Sequence, residues 1–399
     1  MSTETMHGTK FTLPQSVAVV LLSSIPTLSV FAMPFMLGGL VDRYHLPAST
    51  MAWAITIELI LGSLGALVVT LRLERLNPRI VASAAVVCMA LSQLGTIFAP
   101  DVTTLFILRG ILGFGEGLCV SLASGAIARA AQARRLYSIQ GVVIVALTLA
   151  VFAGLPALAE RSGSSAVFVA LAMLNIVLLP APLFLSNQKV VARQLSGGSV
   201  FDRGSVVLLL VALLAASASN GAWLYFEQIG EALHLRLGEI VNISLVTTAT
   251  ALVAPWLALR SLGRTSGAKP LAGWLILQGI AVFIYAGGYG VPHFVISALL
   301  LNAGIIFVQV YLLGMGAAHD PTGKTSAALG GVMSYLAVIC GTTASSLAVG
   351  EGNNFLRFGI FDAVLFVLAA MTAVMYRRSL AAAKAEAPLS GADADPLVS

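Results

Sequence analysis

The sequence is poor in charge. Lysine, arginine, aspartate and glutamate make up 10% of its 399 residues, where an ordinary soluble domain carries about a quarter. So few charges cannot give a chain of this size a surface that water wets, which excludes a soluble globular protein. Cysteine is scarcer still. Cys88, Cys119 and Cys340 all fall inside apolar runs, so a disulfide framework is not expected and the three read as small buried hydrophobes. The histidines (His7, His45, His234, His293, His319) are scattered, and no His or Asp cluster has metal-ligand spacing. An intramembrane enzyme is therefore set aside, and no metal, cofactor or nucleic-acid partner is expected. The opening residues, MSTETMHGTKFTLPQ, are polar, and the apolar run behind them ends without a small-residue cleavage site, so they do not read as a signal peptide.

What the chain has is apolar length. Apolar residues make up 58% of it, and its mean hydropathy is +0.95. A spanning helix needs about 20 mostly apolar residues. Segments of that kind lie near 16–41, 51–71, 80–99, 102–127, 138–158 and 166–186, and again near 205–227, 239–259, 271–289, 292–315, 326–348 and 355–376. Between the two groups lies SNQKVVARQLSGGSVFDRGS, the longest polar stretch between apolar runs. The expected fold is an all-α membrane protein of twelve transmembrane helices in two pseudo-symmetric six-helix bundles. Its divisions are an N-terminus at 1–15, bundles at 16–187 and 205–378, a linker at 188–204 and a disordered tail at 379–399. The tail, with its AAAKAEAPLSGADADPLVS composition, has too little to bury.

The basic residues test the count. With a cytoplasmic N-terminus, seventeen lysines and arginines fall on the cytoplasmic side and four (Arg43, Arg161, Arg236, Arg357) on the other, with Arg109 inside the membrane. This is the bias of the positive-inside rule, and a missed or extra helix would scramble it. Both termini are expected in the cytoplasm, and the protein in an inner membrane as a multi-pass monomer. The halves also correspond: spans 1 and 7, and spans 4 and 10, start about 190 residues apart, and the basic turns ERLNPR (74–79) and RSLGR (260–264) sit at matching places. Duplicated halves of this kind suggest a transporter.

Charge inside a span calls for an explanation. Residues 109–117 read RGILGFGEG. Gly113 and Gly117 are four apart and share a face; in lipid, where little hydrophobic force draws helices together, small residues allow close packing. With Gly115 they are expected to pack helices, and the lack of a preceding strand argues against a nucleotide loop. Arg109 and Glu116 are seven apart, two helical turns, so they project the same way. An ionised side chain at mid-membrane costs about 2.5–3.5 kcal/mol on insertion scales. One reading is helix-to-helix hydrogen bonding. The other is that Glu116 exchanges a proton under the control of Arg109, since burial favours the neutral acid and a nearby guanidinium the carboxylate. Glu58, in AITIELILG of span 2, is a second candidate for the same role.

The sequence resembles the major facilitator superfamily. RGILGFGEG looks like that family's fourth-helix motif, R-x-x-x-G-x-G-x-G, with Arg109, Gly113, Gly115 and Gly117 in its positions. The loop after span 2, TLRLERLNPR, is similar to the family's G-x-x-x-D-R-x-G-R-[RK] gating loop. Glu74, Arg75 and Arg79 keep its acid and two bases, while Thr70, Asn77 and Pro78 depart from it. The antiporters' G-P-x-x-G-G run is represented only by AGLPALA (153–159), with different spacing. Arg109 followed by Glu116-Gly117 is similar to the anion:cation symporter branch, in which such a glutamate is implicated in proton coupling; Asp42-Arg43 matches that branch's pair near the end of span 1.

The resemblance implies that spans 1, 4, 7 and 10 line a central cavity. Ser23 and Thr27 flank Pro26 in SSIPTLS of span 1, where a proline frees backbone carbonyls. In span 7, Asn220, Trp223 and Glu227 recur at three and four; amide, indole and carboxylate suit a binding wall, and also an interfacial belt. Asn302 and Gln309 lie seven apart in span 10, Gln140 lies in span 5, and Ser334 and Tyr335 lie in span 11. Ser23, Thr27, Arg109, Gln140, Asn220, Trp223, Glu227, Asn302, Gln309 and Tyr335 are the candidate solute contacts, while Asp362 in span 12 reads as structural. The leading expectation is a proton-coupled symporter of a small organic anion working by alternating access, because arginine suits a carboxylate. The alternative is a proton-driven exporter of drugs or metabolites. A membrane sensor is disfavoured, since the sequence holds no sizeable extra domain.

Overall fold

A computed structural model of the chain describes residues 9–185, 200–264, 268–350 and 354–386. Those residues are almost wholly helical, and eleven of the helical stretches are long and apolar enough to cross a membrane. Polar residues before the apolar runs start several helices. Thr12 caps α1 (Leu13–Ser24) in a capping box with Gln15, Asn77 and Pro78 start α5 (Pro78–Phe98), and Asp101 accepts from the Thr104 amide at the start of α6 (Val102–Ala128). Each satisfies amides that the first helical turn leaves open.

The first span is not one helix. Pro26 lacks an amide proton, and the chain breaks there into α1, a single turn α2 (Leu28–Phe31) and α3 (Met33–Tyr44). α4 (Ala48–Arg72) returns alongside. The stretch Ala133–Phe184 folds as α7 (Ala133–Ser162) and α8 (Ala166–Leu178), joined through Gly163 at φ 54°, a left-handed backbone that glycine adopts freely. The second half holds α9 (Arg203–Leu224), the short α10 (Phe226–Ala232), α11 (Leu237–Thr250), α12 (Ala254–Arg264), α13 (Lys269–Ala286), α14 (Val291–His319), α15 (Lys324–Gly331), α16 (Ala337–Val349) and α17 (Phe355–Glu386). Between α15 and α16 the helix loosens into a π-helical turn, Val332–Leu336.

α6 packs on α1, α4 and α5, while α14 packs on α9, α11, α12 and α13. The two groups meet where α4, α6 and α7 face α11, α12, α14 and α15. Large apolar side chains cover the outside, among them Leu91, Phe98, Ile107, Leu347 and Met371, an envelope suited to lipid and costly in water. Cys88 and Cys340 lie exposed among them, and only Cys119 is buried.

Several sequence-based boundaries move. α17 runs to Glu386, eight residues into the tail expected to be disordered, because SLAAAKAE is rich in strong helix formers. Residues 387–399, most of the linker (186–199) and residues 1–8 lie outside the described part. Glu227 was expected on one face with Asn220 and Trp223. The helix instead breaks at Tyr225, so Glu227 begins α10 and is exposed.

Candidate functional site

Three charged residues of the spans, Glu58, Arg109 and Glu116, meet in one buried cluster, while Asp362 of α17 lies apart and accepts from the Ser345 hydroxyl at 3.1 Å. Arg109 is fully enclosed on α6 and is ion-paired to Glu58 of α4. Its other guanidinium contacts are Gln93 Oε1 of α5 at 3.2 Å and Met36 Sδ of α3 at 3.2 Å, and its charge lies 5.8 Å from the centre of the Phe168 ring. Glu116 accepts from the Ser29 hydroxyl of α2 at 3.0 Å. The Glu58 and Glu116 carboxyls are close enough to act on one another directly. Arg109 is thus paired with Glu58, while Glu116 beside them is held by Ser29. A buried ion costs several kcal/mol to desolvate, so partners of this density are what allow the arginine to sit here at all.

Glycine brings the carboxylates together. A Cβ added at Gly113 would strike the backbone of Glu58, and one at Gly117 the carbonyl of Gly62. α4 and α6 therefore touch backbone to backbone along the face that carries Glu58. Gly115 points elsewhere, towards Met89 and Ala85 of α5, with 2.7 Å left to the Met89 side chain.

Two small cavities lie between the groups of helices. The larger has about 50 Å³ open to the centre of a water molecule, room for a few waters. Its polar lining comprises Thr27, Ser219, Asn220, Gln309, Ser334 and the indole edge of Trp223. The smaller, of about 20 Å³, adds Thr148, Thr248 and Asn302. Phe31, Trp223 and Ile305 line both and form the wall between them. The Trp223 indole nitrogen is buried without a hydrogen-bond partner among the described residues. Asn220 spends its amide nitrogen on the Ala216 carbonyl at 2.7 Å, and Asn302 donates to Thr247 Oγ1 at 3.0 Å.

At the end of the molecule that carries the α4–α5, α6–α7 and α14–α15 turns, the two groups of helices are bound together. Glu74 Oε1 lies 2.7 Å from Lys324 Nζ, Arg129 donates to the Thr322 carbonyl at 3.3 Å, and Ser138 donates to the Pro255 carbonyl at 3.0 Å. Gly323, at φ 86°, lies against the Gly125 backbone, an approach that a side chain on either residue would prevent. Beside this contact Asp202 caps α9, holding the Ser205 amide and hydroxyl and His319 Nε2 at 2.9 Å.

Thr27, Asn220, Trp223, Asn302 and Gln309 come together at the two cavities. Ser23, Arg109, Gln140, Glu227 and Tyr335 line neither. The Ser23 hydroxyl turns back to the Val19 and Val20 carbonyls of its own helix, as serines in helices readily do. Gln140 is buried, with its Oε1 unpartnered among the described residues. Tyr335 is fully buried, its ring pressed on Gly62 of α4, one turn from Glu58. Of the loop residues, Glu74 makes the ion pair, Arg75 is exposed and Arg79 is half-buried at the start of α5. The sequence reading missed Ser29, Gln93, Met36 and Phe168 around the charges, and Phe31 between the cavities. Only Ser29 carried a signal, its place just past Pro26.

The Major Facilitator Superfamily model matches residues 17–348. No curated protein resembles the sequence closely enough to count as a relative. Among solved structures, a proton:xylose symporter superposes at a TM-score of 0.75 with 15% identity, over 90% of this chain and 94% of that one. The human organic anion transporter MFSD10 gives 0.70 at 16%, over 90% and 98%. A bacterial homologue of the iron transporter ferroportin gives 0.71 at 16%, over 92% and 98%. These likenesses speak for a shared fold. With a family match over most of its length and an apolar multi-pass body, the chain belongs to the Major Facilitator Superfamily, as a membrane transporter and not an enzyme.

Proposed function

We propose that this protein is a proton-coupled symporter of a small organic solute that works by alternating access. The observation that carries this reading is the count of charges in the buried cluster: one guanidinium, Arg109, faces two carboxyls, Glu58 and Glu116. With all three ionised the site would hold an uncompensated negative charge away from water, and one proton removes it. Ser29, which touches Glu116, sits on the one-turn helix whose Thr27, Val30 and Phe31 face the larger cavity. Solute and proton therefore act on the same short segment. Two structural relatives are described as proton symporters, of xylose and of fucose.

The architecture we assign is twelve crossings in two bundles, 16–187 and 205–378, with both termini in the cytoplasm of an inner membrane. The long stretch Ala133–Phe184 counts as two crossings, because 52 residues of helix would measure about 78 Å against a hydrocarbon core of about 30 Å, and its two helices fold back on one another. Glu74 then belongs to a cytoplasmic gate, closed here by Lys324, and the fourth-span glycines serve as packing points. An organic anion was expected because Arg109 suits a carboxylate. With that guanidinium already paired to Glu58 and lining neither cavity, Arg109 is assigned to the proton site and not to the solute.

The test is solute-driven pH change inside liposomes that hold a pH-sensitive dye. Symport acidifies the lumen as solute enters, whereas the export alternative reverses the sign. Glu116→Gln should abolish the solute-dependent proton flux, and undiminished coupled flux in that variant would remove Glu116 from the mechanism.

A further inference from the structure

We infer that the solute is uncharged: a small molecule with a flat or ring-like face and hydrogen-bonding groups on its edge. This deepens the transport reading above and rests on it.

The two cavities are lined by apolar, hydroxyl, amide and indole groups, with no charged side chain among the described lining residues. Asp362, also buried, accepts from Ser345 beside Gly221 and lines neither cavity. The buried charges of the cluster, Glu58, Arg109 and Glu116, lie on the far side of two helix breaks. The first is α2, which turns Thr27, Val30 and Phe31 to the cavity and Ser29 to Glu116. The second is the π-turn, which turns Met333 and Ser334 to the cavity while Tyr335 packs on Gly62, one turn from Glu58. An ionic solute in this cavity would lose its water without meeting a counter-charge, which is strongly unfavourable. Arg109, the cation buried in the neighbouring cluster, already holds Glu58 and Gln93.

The groups that do line the cavity describe a neutral ligand. Among the described residues the Trp223 N–H lacks an acceptor and the Asn220 amide oxygen has no donor, while Gln309 can both donate and accept. Trp223 and Phe31, shared by the two cavities, supply aromatic faces, and a movement of either ring would merge the two spaces. A buried polar edge on the solute that matches these groups is retained; a solute without it leaves them unsatisfied.

The charge of the solute also fixes the electrical character of the cycle. A neutral solute moving with one proton carries net charge, so an inside-negative potential drives its accumulation. A monovalent anion moving with one proton carries none.

The experiment is counterflow with the full chain in proteoliposomes, which reports on solute exchange without a proton gradient. It uses shape-matched probes: galactose against galacturonate, and nicotinamide against nicotinate and N1-methylnicotinamide. The expected result is at least tenfold preference for an uncharged probe in exchange, net uptake of that probe into solute-free vesicles stimulated by an inside-negative potassium-valinomycin potential, and at least tenfold loss of its exchange in Asn220→Asp. Equal or better exchange of a charged member in the wild-type protein overturns the inference. The internal pH dye separates the two readings. Net uptake of a neutral probe into solute-free vesicles without proton movement ends the coupling proposal and leaves the solute class standing, whereas proton movement with net uptake of an acid probe alone does the reverse.

Discussion

Arg109 illustrates how a single residue can be legible in sequence while its partner is not. An arginine inside an apolar run demands a counter-charge. Helical periodicity offered Glu116, two turns along the same helix. The partner is Glu58, from another span, because Gly113 lets the α4 backbone come close enough for its side chain to reach. The cost of removing one member follows from this pairing. Arg109→Leu leaves Glu58 buried without compensation and should lower stability by about 3–5 kcal/mol. Adding Glu58→Leu to that variant should restore most of the loss, because a buried pair replaced by apolar groups of similar volume is often neutral. Melting of the purified variants in detergent checks both. A double variant as unstable as the single one would mean that Arg109 is held chiefly by Gln93, Met36 and Phe168.

At the level of helices, close packing and capping each give a prediction. Gly117 meets the Gly62 carbonyl with no space for a side chain, whereas nothing lies near a Cβ added at Gly273. Gly117→Val should destabilise by at least about 1–3 kcal/mol, the usual range for an overpacked core. Gly273→Ala should melt at or above the wild-type temperature, since alanine is the better helix former. Asp202, at the start of α9, offers a pH test. Partial desolvation works to raise its carboxyl, but the Ser205 hydroxyl and amide and His319 outweigh this and hold it below the ordinary 3.8. The ionised form is therefore favoured by the fold. The stabilisation it gives is present above about pH 3.8 and fades as the pH falls through the lower, folded-state value. Asp202→Asn should melt below wild type at neutral pH, and the two curves should converge in strong acid. The cap itself could be read from sequence as an aspartate ahead of an apolar run. His319 could not, because it arrives from the end of α14.

Across the whole molecule, the end fastened by Glu74 and Lys324 must open if the solute is to pass from one side of the membrane to the other. Cysteines at these two positions, in a background with Cys88, Cys119 and Cys340 replaced, should cross-link under mild oxidation. Transport should stop on cross-linking and recover on reduction, measured as counterflow before and after a reductant. Transport that continued with the bridge fully formed would show that this end does not move during the cycle. The twelve-segment reading, the family and Glu74, the acidic member of the ion pair, came from local features: run length, loop charge and the quoted motifs. Lys324 as the partner of Glu74 did not, since 250 residues separate them.

The sequence alone determined the solvent and the helical, multi-pass class. A chain with 10% charged residues and apolar runs of spanning length has one way to satisfy its backbone, as helices in lipid. It also marked the residues that lipid would reject, Glu58, Arg109 and Glu116. Tertiary structure decided which of those residues touch, and it placed the two uncharged cavities elsewhere, around Trp223 and Phe31. The physical reason is the difference between a period and a break. Regular helices let faces be read from spacing, and the family resemblance implied which spans face inward, so Asn220, Asn302 and Gln309 could be named in advance. Thr27 was named from the neighbouring proline and that resemblance. At Pro26, at Tyr225 and in the π-turn at Val332–Leu336 the period is lost. There the packing of neighbouring helices sets the direction of Ser29, Glu227 and Tyr335, and with it the separation of the charged cluster from the neutral cavity.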